Sequence, residues 1–497
     1  MIFNKQFMKS ILLFLFISIF ITSVFAKENQ TKTTIDEGYK IQVKLNGFKE
    51  KLCFLANYYG DKQYIQDTAA LVNVGDEIIF TGKEKLKQGI YMIVLPSHKY
   101  FEVMIADDQN FEVETDTTDL VGHLKFKGST ENELFLEYLK FTTKMGVEME
   151  QANVSYRSSK TKADSTKAMN EMTKCDSIVF DYRKKFAAKH PTMLLTSVFN
   201  AMPEPTLPKE ITSKNNQALS FNYFKNHYFD NFNFSDDRLL YTPIANGKIN
   251  KYLNQLTSPH PDSLIKSCDF LVSKSRANKE FFKYMVWYLT NTYEQSKIMG
   301  YDAIFVHMAE NYYCKGEAYW VDSAKLKKIC ERATHVKKIL LDAVVPNMIL
   351  EDSSLKSYYT YDLMKTDKYT ILWFWNSTCG HCQKETPELY KVYEKLHEID
   401  KVGVITITEE RIGSKDDPTM KKWKAYLKDH PMNWYNLRDA NNYYDFKDMF
   451  DVYATPKMFI LDAKTHQIKA KLIGIDQVEE VIGQLNKIEA EKLKEKK

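Results

Sequence analysis

Residues Tyr369 to Pro387, YTILWFWNSTCGHCQKETP, constrain this chain more than any other stretch. Thr370 to Trp375 is a short apolar run with turn residues Asn376 and Ser377 behind it, which reads as a buried strand. Cys379-Gly380-His381-Cys382 follows, and Leu389, Val392, Tyr393 and Leu396 then recur at helical spacing. A Cys-x-x-Cys pair between a buried strand and a helix sets the first sulfur at the helix N-terminus. Free backbone N–H groups and the macrodipole stabilise a thiolate there. Such a segment is suited to thiol–disulfide exchange.

The other uses of a Cys-x-x-Cys fit less well. Structural zinc needs a full set of ligands, and the chain has no second Cys-x-x-Cys or His pair at ligand spacing. Covalent haem needs His directly after the second cysteine, where Gln383 stands. A purely structural short-range disulfide remains open, but the helix end and the Gly380-His381 insert both tune reactivity. No cofactor or metal is implied. In the exchange reading Cys379, the more exposed sulfur, attacks as a thiolate, and Cys382, one turn into the helix, resolves the mixed disulfide. A protonated His381 would stabilise the thiolate and raise the reduction potential, a pull toward an oxidant or isomerase.

At 497 residues the chain exceeds one compact core, so several domains are expected. Lys+Arg 69 against Asp+Glu 65, interspersed, argues against a nucleic-acid surface. Lys5 and Lys9, the apolar run Ile11 to Phe25 and the Val24-Phe25-Ala26 end read as a secretion signal over 1–26. The run is short for a membrane span. The expected location is the periplasm, with cleavage after Ala26. Cys53, Cys175, Cys268, Cys314 and Cys330 have no repeating spacing, and separate buried thiols are expected, at least one of them unpaired within the monomer.

Period-two alternation begins at Tyr39, Ile41, Val43 and Leu45. Strand candidates follow at Leu52–Ala56, Glu77–Phe80, Ile90–Leu95, Phe101–Ile105, Phe111–Glu114 and Leu124–Lys127, with turns such as Asn46-Gly47, Tyr59-Gly60-Asp61 and Val74-Gly75-Asp76. The pattern predicts an antiparallel β-sandwich over 36–127. Ser129 with Glu133 starts a helix, and 128–205 reads as a helical stalk and linker ending in the Pro203–Pro208 segment. From 206 to 340 an α-helical domain is expected, with Phe221, Phe224, Tyr228 and Phe232 on one helical face. A second face holds Phe282, Met285, Val286, Leu289 and Tyr293, ending at a Gly300 cap. His227, His260 and His307 read as hydrogen-bonded packing residues. Residues 341–487 alternate strand and helix, then close with a hairpin and an amphipathic helix, an α/β layer structure. A charged tail, 488–497, follows.

At its centre the sequence resembles a known family. WNSTCGHCQKETP is similar to the active-site segment of the thioredoxin superfamily, and Cys-x-x-Cys-x-x-Glu-x-Pro resembles its secreted TlpA/ResA-like branch. Ala454-Thr455-Pro456 matches the loop carrying the superfamily's cis-proline, and Val345-Pro346-Asn347 with Leu350 resembles the branch's opening. The resemblance spans roughly 345–487 and implies a thioredoxin-like fold with Cys379 as nucleophile and Cys382 as resolving thiol. It implies a kink at Pro387 and a cis Pro456, preceded by Thr455, beside the sulfurs. Trp373 stands where the superfamily carries a buried acid. Glu385 matches the branch's acid and is implied to exchange a proton with Cys382. The family's usual direction is reduction of disulfides in envelope proteins, fed by a membrane electron donor. LKFKGSTEN (124–132) resembles an uncharacterised β-domain found ahead of such domains in secreted Bacteroidota proteins. His227-Tyr228-Phe229-Asp230, with His260-Pro261-Asp262-Ser263 and Met299-Gly300, resembles their helical domain. A rival reading makes the chain an envelope binding or interaction protein in which these front domains dominate.

Overall fold

The computed structural model describes residues 38–72, 77–409 and 417–495. The expected leader 1–26 and the Val74-Gly75-Asp76 turn lie outside the described residues. The chain divides into two compact units, Met1–Leu256 and Thr257–Lys497. No helix among the described residues is long and apolar enough to cross a membrane.

The first unit opens with β1 (Tyr39–Asn46), β2 (Leu52–Tyr59), β3 (Lys62–Val72), β4 (Glu77–Gly82), β5 (Gly89–Val94), β6 (Tyr100–Ile105), β7 (Asn110–Asp116) and β8 (Lys125–Lys127). They pair in the order β6-β5-β2-β3-β4-β1-β7-β8. The alternation in β1 does what its period requires: Tyr39, Ile41, Val43 and Leu45 are buried while Lys40 and Lys44 face out. The long β3 joins both halves of the sheet, and Ile41, Val43 and Phe80 from one half share a core with Leu55, Ile93 and Val103 from the other. Two features differ from the sequence reading. β1 and β7 run parallel, because the chain between them makes the whole β2–β6 excursion before returning. β3 itself shows no apolar alternation, with Tyr64 and Ile65 about half or more exposed; it forms because the Gly60 turn, φ 58°, pairs it back on β2.

Helix α1 (Thr130–Ser158) is capped at Ser129 as expected, and Asn132 behind the cap holds both the N–H and C=O of Met104 at 2.7 Å. With α2 (Lys162–Lys189) it forms a hairpin in which α2 buries little beyond Ala168, Cys175 and Phe186. Then come α3 (Leu194–Ala201), α4 (Lys209–Thr212), α5 (Gln217–Asn226) and α6 (Pro243–Gln255). The aromatic face expected from Phe221 to Phe232 is not helical throughout. α5 stops at Asn226, His227 pairs with Asp230 at 2.6 Å, and Tyr228, Phe229, Phe232 and Phe234 pack as a buried irregular cluster.

The second unit begins with α7 (Pro261–Ser275), α8 (Lys279–Glu294), α9 (Asp302–Met308) and α10 (Ser323–Lys337). The five apolar residues of α8 are buried as expected, but the helix ends at Glu294; Gly300, φ 87°, instead shapes the turn into α9. Cys314 and Cys330 are joined by a disulfide, which corrects the expectation of separate thiols. A π-turn over Ala309–Tyr313 delivers Cys314 to the flank of α10, with Cα atoms 5.8 Å apart, a proximity that spacing alone does not reveal. Cys53, Cys175 and Cys268 are free and buried.

The rest of the unit is a seven-stranded mixed sheet: β9 (Ile349–Asp352), β10 (Ser357–Tyr359), α11 (Thr360–Met364), β11 (Tyr369–Trp375), α12 (Gly380–Asp400), β12 (Val402–Thr408), α13 (Pro418–Asp429), β13 (Tyr435–Arg438), α14 (Phe446–Phe450), β14 (Lys457–Asp462), β15 (Ile468–Lys471) and α15 (Val478–Glu495). Strand order is β10-β9-β13-β12-β11-β14-β15, with β11, β12 and β13 parallel. Every residue of β11 is buried: Ile371, Trp373 and Trp375 face one core layer, Leu372 and Phe374 the other. The helices before the sheet are fastened to it by charge. Lys471, almost wholly buried, meets Asp302 of α9 and the carbonyl of Ile339, and Arg332 of α10 meets Asp451. Replacing both Cys314 and Cys330 by Ser should lower the unfolding free energy of the protein by roughly 3 kcal/mol, the loop-closure term for cysteines 16 residues apart, read as a lower urea midpoint.

Candidate functional site

The site is made where β11 runs out. Asn376 turns the chain: its side-chain oxygen accepts from the Thr378 N–H at 2.8 Å and its carbonyl from the Cys379 N–H at 3.2 Å. Gln383 donates back to the Ser377 carbonyl at 2.8 Å, closing the turn. Cys379 is thereby the N-cap of α12, with extended backbone (φ −79°, ψ 120°), and Gly380 opens the helix. The sulfur sits where the first helical N–H groups have no carbonyl partner.

The two thiols have opposite environments. Cys379 is half-buried and its thiol is held below the usual range, first by the backbone N–H of Cys382; burial, the next largest effect, opposes this, and the Cys382 thiol, the His381 N–H and Thr455 add to the lowering. Cys382 is fully buried, and burial pushes it up to about 12. Both are free thiols. One sulfur is ready to ionise and reachable; the other is neither.

The Thr455-Pro456 bond is cis, and the Cys379 thiol donates to the Thr455 carbonyl at 3.6 Å, so this loop lies against the reactive sulfur. Pro387 interrupts the hydrogen bonding of α12 one turn beyond the site. Trp373 occupies the buried position beneath and donates to Thr386 at 3.3 Å. His381 is exposed. Glu385 is half-buried in an open groove of about 540 Å³ with Glu388, Lys391, Lys395 and Asp476, and no hydrogen bond joins it to Cys382 among the described residues. The structure thus brings Cys379, Cys382, Thr455 and Pro456 together.

Residues the sequence reading did not place at the site come from β11 and α13. Trp375 and Trp423 belong to the core cluster that contains Cys382, and Tyr426, partly buried, packs against it. Their signal was the i, i+3 spacing of Trp423 and Tyr426 on a short amphipathic helix, which looks like ordinary core.

Because folding makes Cys379 easier to ionise, the unfolded chain holds its proton to higher pH. This term stabilises the reduced protein above the unfolded pKa and is lost as pH falls through the lowered folded value. In reduced samples the urea midpoint of the unaltered protein relative to Cys379→Ser should therefore rise with pH up to the ordinary thiol range, about 8.5. A difference that stays flat would contradict the assignment.

Residues 367–468 match the family model described as thioredoxin-like. Residues 39–135 and 140–339 match two domains of unknown function, DUF4369 and DUF5106. No curated protein matches the chain. Among solved structures, a domain of a possible thiol-disulfide isomerase from Cytophaga hutchinsonii is 37% identical, over 30% of this chain and 95% of that one, with a TM-score of 0.27. A thioredoxin-like protein from Bacteroides caccae is 17% identical over 56% of this chain and 97% of that one, TM-score 0.44. The thioredoxin domain of a thiol-disulfide oxidoreductase from Bacteroides vulgatus is 19% identical over 30% and 98%, TM-score 0.25.

Proposed function

The chain belongs through its C-terminal domain to the thioredoxin-like family, and on that premise we propose that it is a periplasmic thiol–disulfide oxidoreductase that reduces disulfides in envelope proteins. The observation that carries this is the pairing of an accessible, easily ionised Cys379 with a buried Cys382 one turn away. In the first step the Cys379 thiolate attacks one sulfur of a partner disulfide; the partner S–S bond breaks and the leaving sulfur takes up a proton. In the second, Cys382 loses its proton and attacks Cys379. The mixed disulfide breaks, the partner's second thiol departs, and the site is left oxidised. Two electrons have moved to the partner, and a membrane electron donor restores the dithiol.

Thr455 and Pro456 support the reading from the other side. A backbone carbonyl already lies against the sulfur, so an extended partner segment can pair with this edge while its disulfide meets Cys379. The Cys314–Cys330 disulfide supports an oxidising compartment, in keeping with the secretion signal. The thiolate-stabilising N–H groups favour the dithiol and pull the couple toward an oxidant or isomerase, so direction has its own test. Equilibration of the Cys379/Cys382 couple with glutathione should give a potential nearer about −270 mV than about −120 mV; the latter would make the protein an oxidant. Cys382→Ser should trap partners as mixed disulfides and lose turnover with a disulfide substrate such as insulin, while Cys379→Ser traps nothing. A both-Ser variant that keeps the protein's cellular role would instead favour an envelope-binding role for the front domains.

A further inference from the structure

Resting on the exchange reading above, we infer that Arg332 of α10 is a positioning residue that sets how tightly the site holds a partner disulfide, and that the Cys314–Cys330 disulfide keeps it in place. The Cys379 thiol meets the Thr455 carbonyl at 3.6 Å, so the edge for an extended partner segment is the loop from Asp451 to Lys457. That loop has little apolar burial of its own: Val452 is buried, while Tyr453 and Ala454 are exposed. Asp451 sits in the left-handed region at φ 54°, a conformation that costs a non-glycine residue energy and is kept where the surroundings impose it.

Charge imposes it here. Lys457, at the far end of the loop, donates to the Asp451 carboxylate at 2.9 Å and also to the Asp451 carbonyl, which clasps the two ends together. Arg332 pairs with the same carboxylate through both of its terminal nitrogens, and its guanidinium lies 5.8 Å from the Tyr453 ring. One side chain from α10 thus touches the loop at two residues. The Asp451 side chain is 14% exposed, so removing a partner strands a shielded charge.

Packing gives α10 a thin anchorage for this task. The helix is 15 residues long and buries Ala333 and Val336. Two further charged contacts, His335 and Lys338 to Asp448 at 2.9 and 2.7 Å, lie at the surface, where such pairs contribute little. The Cys314–Cys330 bond, two residues before Arg332, joins the helix covalently to the end of the π-turn after α9. Disulfide and arginine therefore act in series: the bond fixes the helix, the helix fixes the guanidinium, and the guanidinium fixes the loop.

Reduction of insulin by the full chain reads the effect, with glutathione as the electron source, a monothiol to which structural disulfides are resistant. Closure of Cys314–Cys330 is verified by alkylation. Arg332→Gln should raise KM about fivefold, the low end of coupling between distinct sites, and leave kcat unchanged, as expected where binding alone is lost. Attack of Cys379 on dithiobis(nitrobenzoate), a disulfide with no peptide to pair with the loop, should keep its rate. Arg332→Lys, which keeps the charge without the fork, should fall between. Cys314→Ser with Cys330→Ser should raise KM as Arg332→Gln does. Adding Arg332→Gln to that pair should raise it no further, since both act through one element. Lys338→Gln, which removes a surface pair from the same helix, should leave KM unaltered; this separates loop positioning from a general loosening of α10. An unaltered KM in Arg332→Gln, a matching rise in Lys338→Gln, or multiplied effects in the combined variant would overturn the inference. An unaltered protein that does not reduce insulin would instead overturn the exchange reading beneath it.

Discussion

The chemistry depends on where a buried strand ends. β11 is covered on both faces, so it cannot slide or tilt, and its last residues must deliver the chain to the edge of the sheet. The Asn376 turn then starts a helix with a cysteine as its cap. Everything distinctive about Cys379 follows from that position: N–H groups with no helical acceptor point at the sulfur, and the Thr455 carbonyl closes it from the other side. One helical turn further, the same geometry carries Cys382 under the surface, where ionisation is opposed. A single strand-to-helix junction thus produces two unlike thiols from two identical residues.

The elements around the junction hold it still. Lys457, directly after the cis-proline, pairs with Asp451 at 2.9 Å, and Asp451 is also held by Arg332 of α10. At the far strand, Lys471 reaches Asp302 of α9. Burying such pairs adds little net stability, yet removing one partner leaves a charge stranded and is costly. Their value is in register: α9 and α10 cannot shift against the sheet without breaking them. The loop that faces the reactive sulfur is therefore fixed from behind by a helix far upstream in sequence.

Much of this was legible in the residues. The apolar run of β11, the Cys-x-x-Cys behind it and the Ala454-Thr455-Pro456 loop placed the site, because each has a short-range pattern with one dominant structural meaning. The alternation of β1 and the Ser129 cap were equally readable. What escaped depends on distant partners. β3 has no periodicity of its own and is a strand only because β2 pairs with it. The parallel β1–β7 pair and the Cys314–Cys330 disulfide join segments whose meeting is decided by the whole chain path. The aromatic face after Asn226 had helical spacing but packs better as an irregular cluster, since tertiary burial outweighs propensity. Trp423 looked like core and is core, with Tyr426 packed against it.

The inequality of the two sulfurs is the most direct thing to measure. Brief alkylation of the reduced protein with iodoacetamide across a pH series, with each cysteine followed separately by mass spectrometry, gives one titration curve per thiol. Cys379 should reach half-maximal modification below the ordinary thiol value of about 8.5, while Cys382 stays unmodified through the whole range in which the protein is folded. Two overlapping curves centred on the ordinary value would contradict the placement of Cys379 at a helix end and of Cys382 in the core.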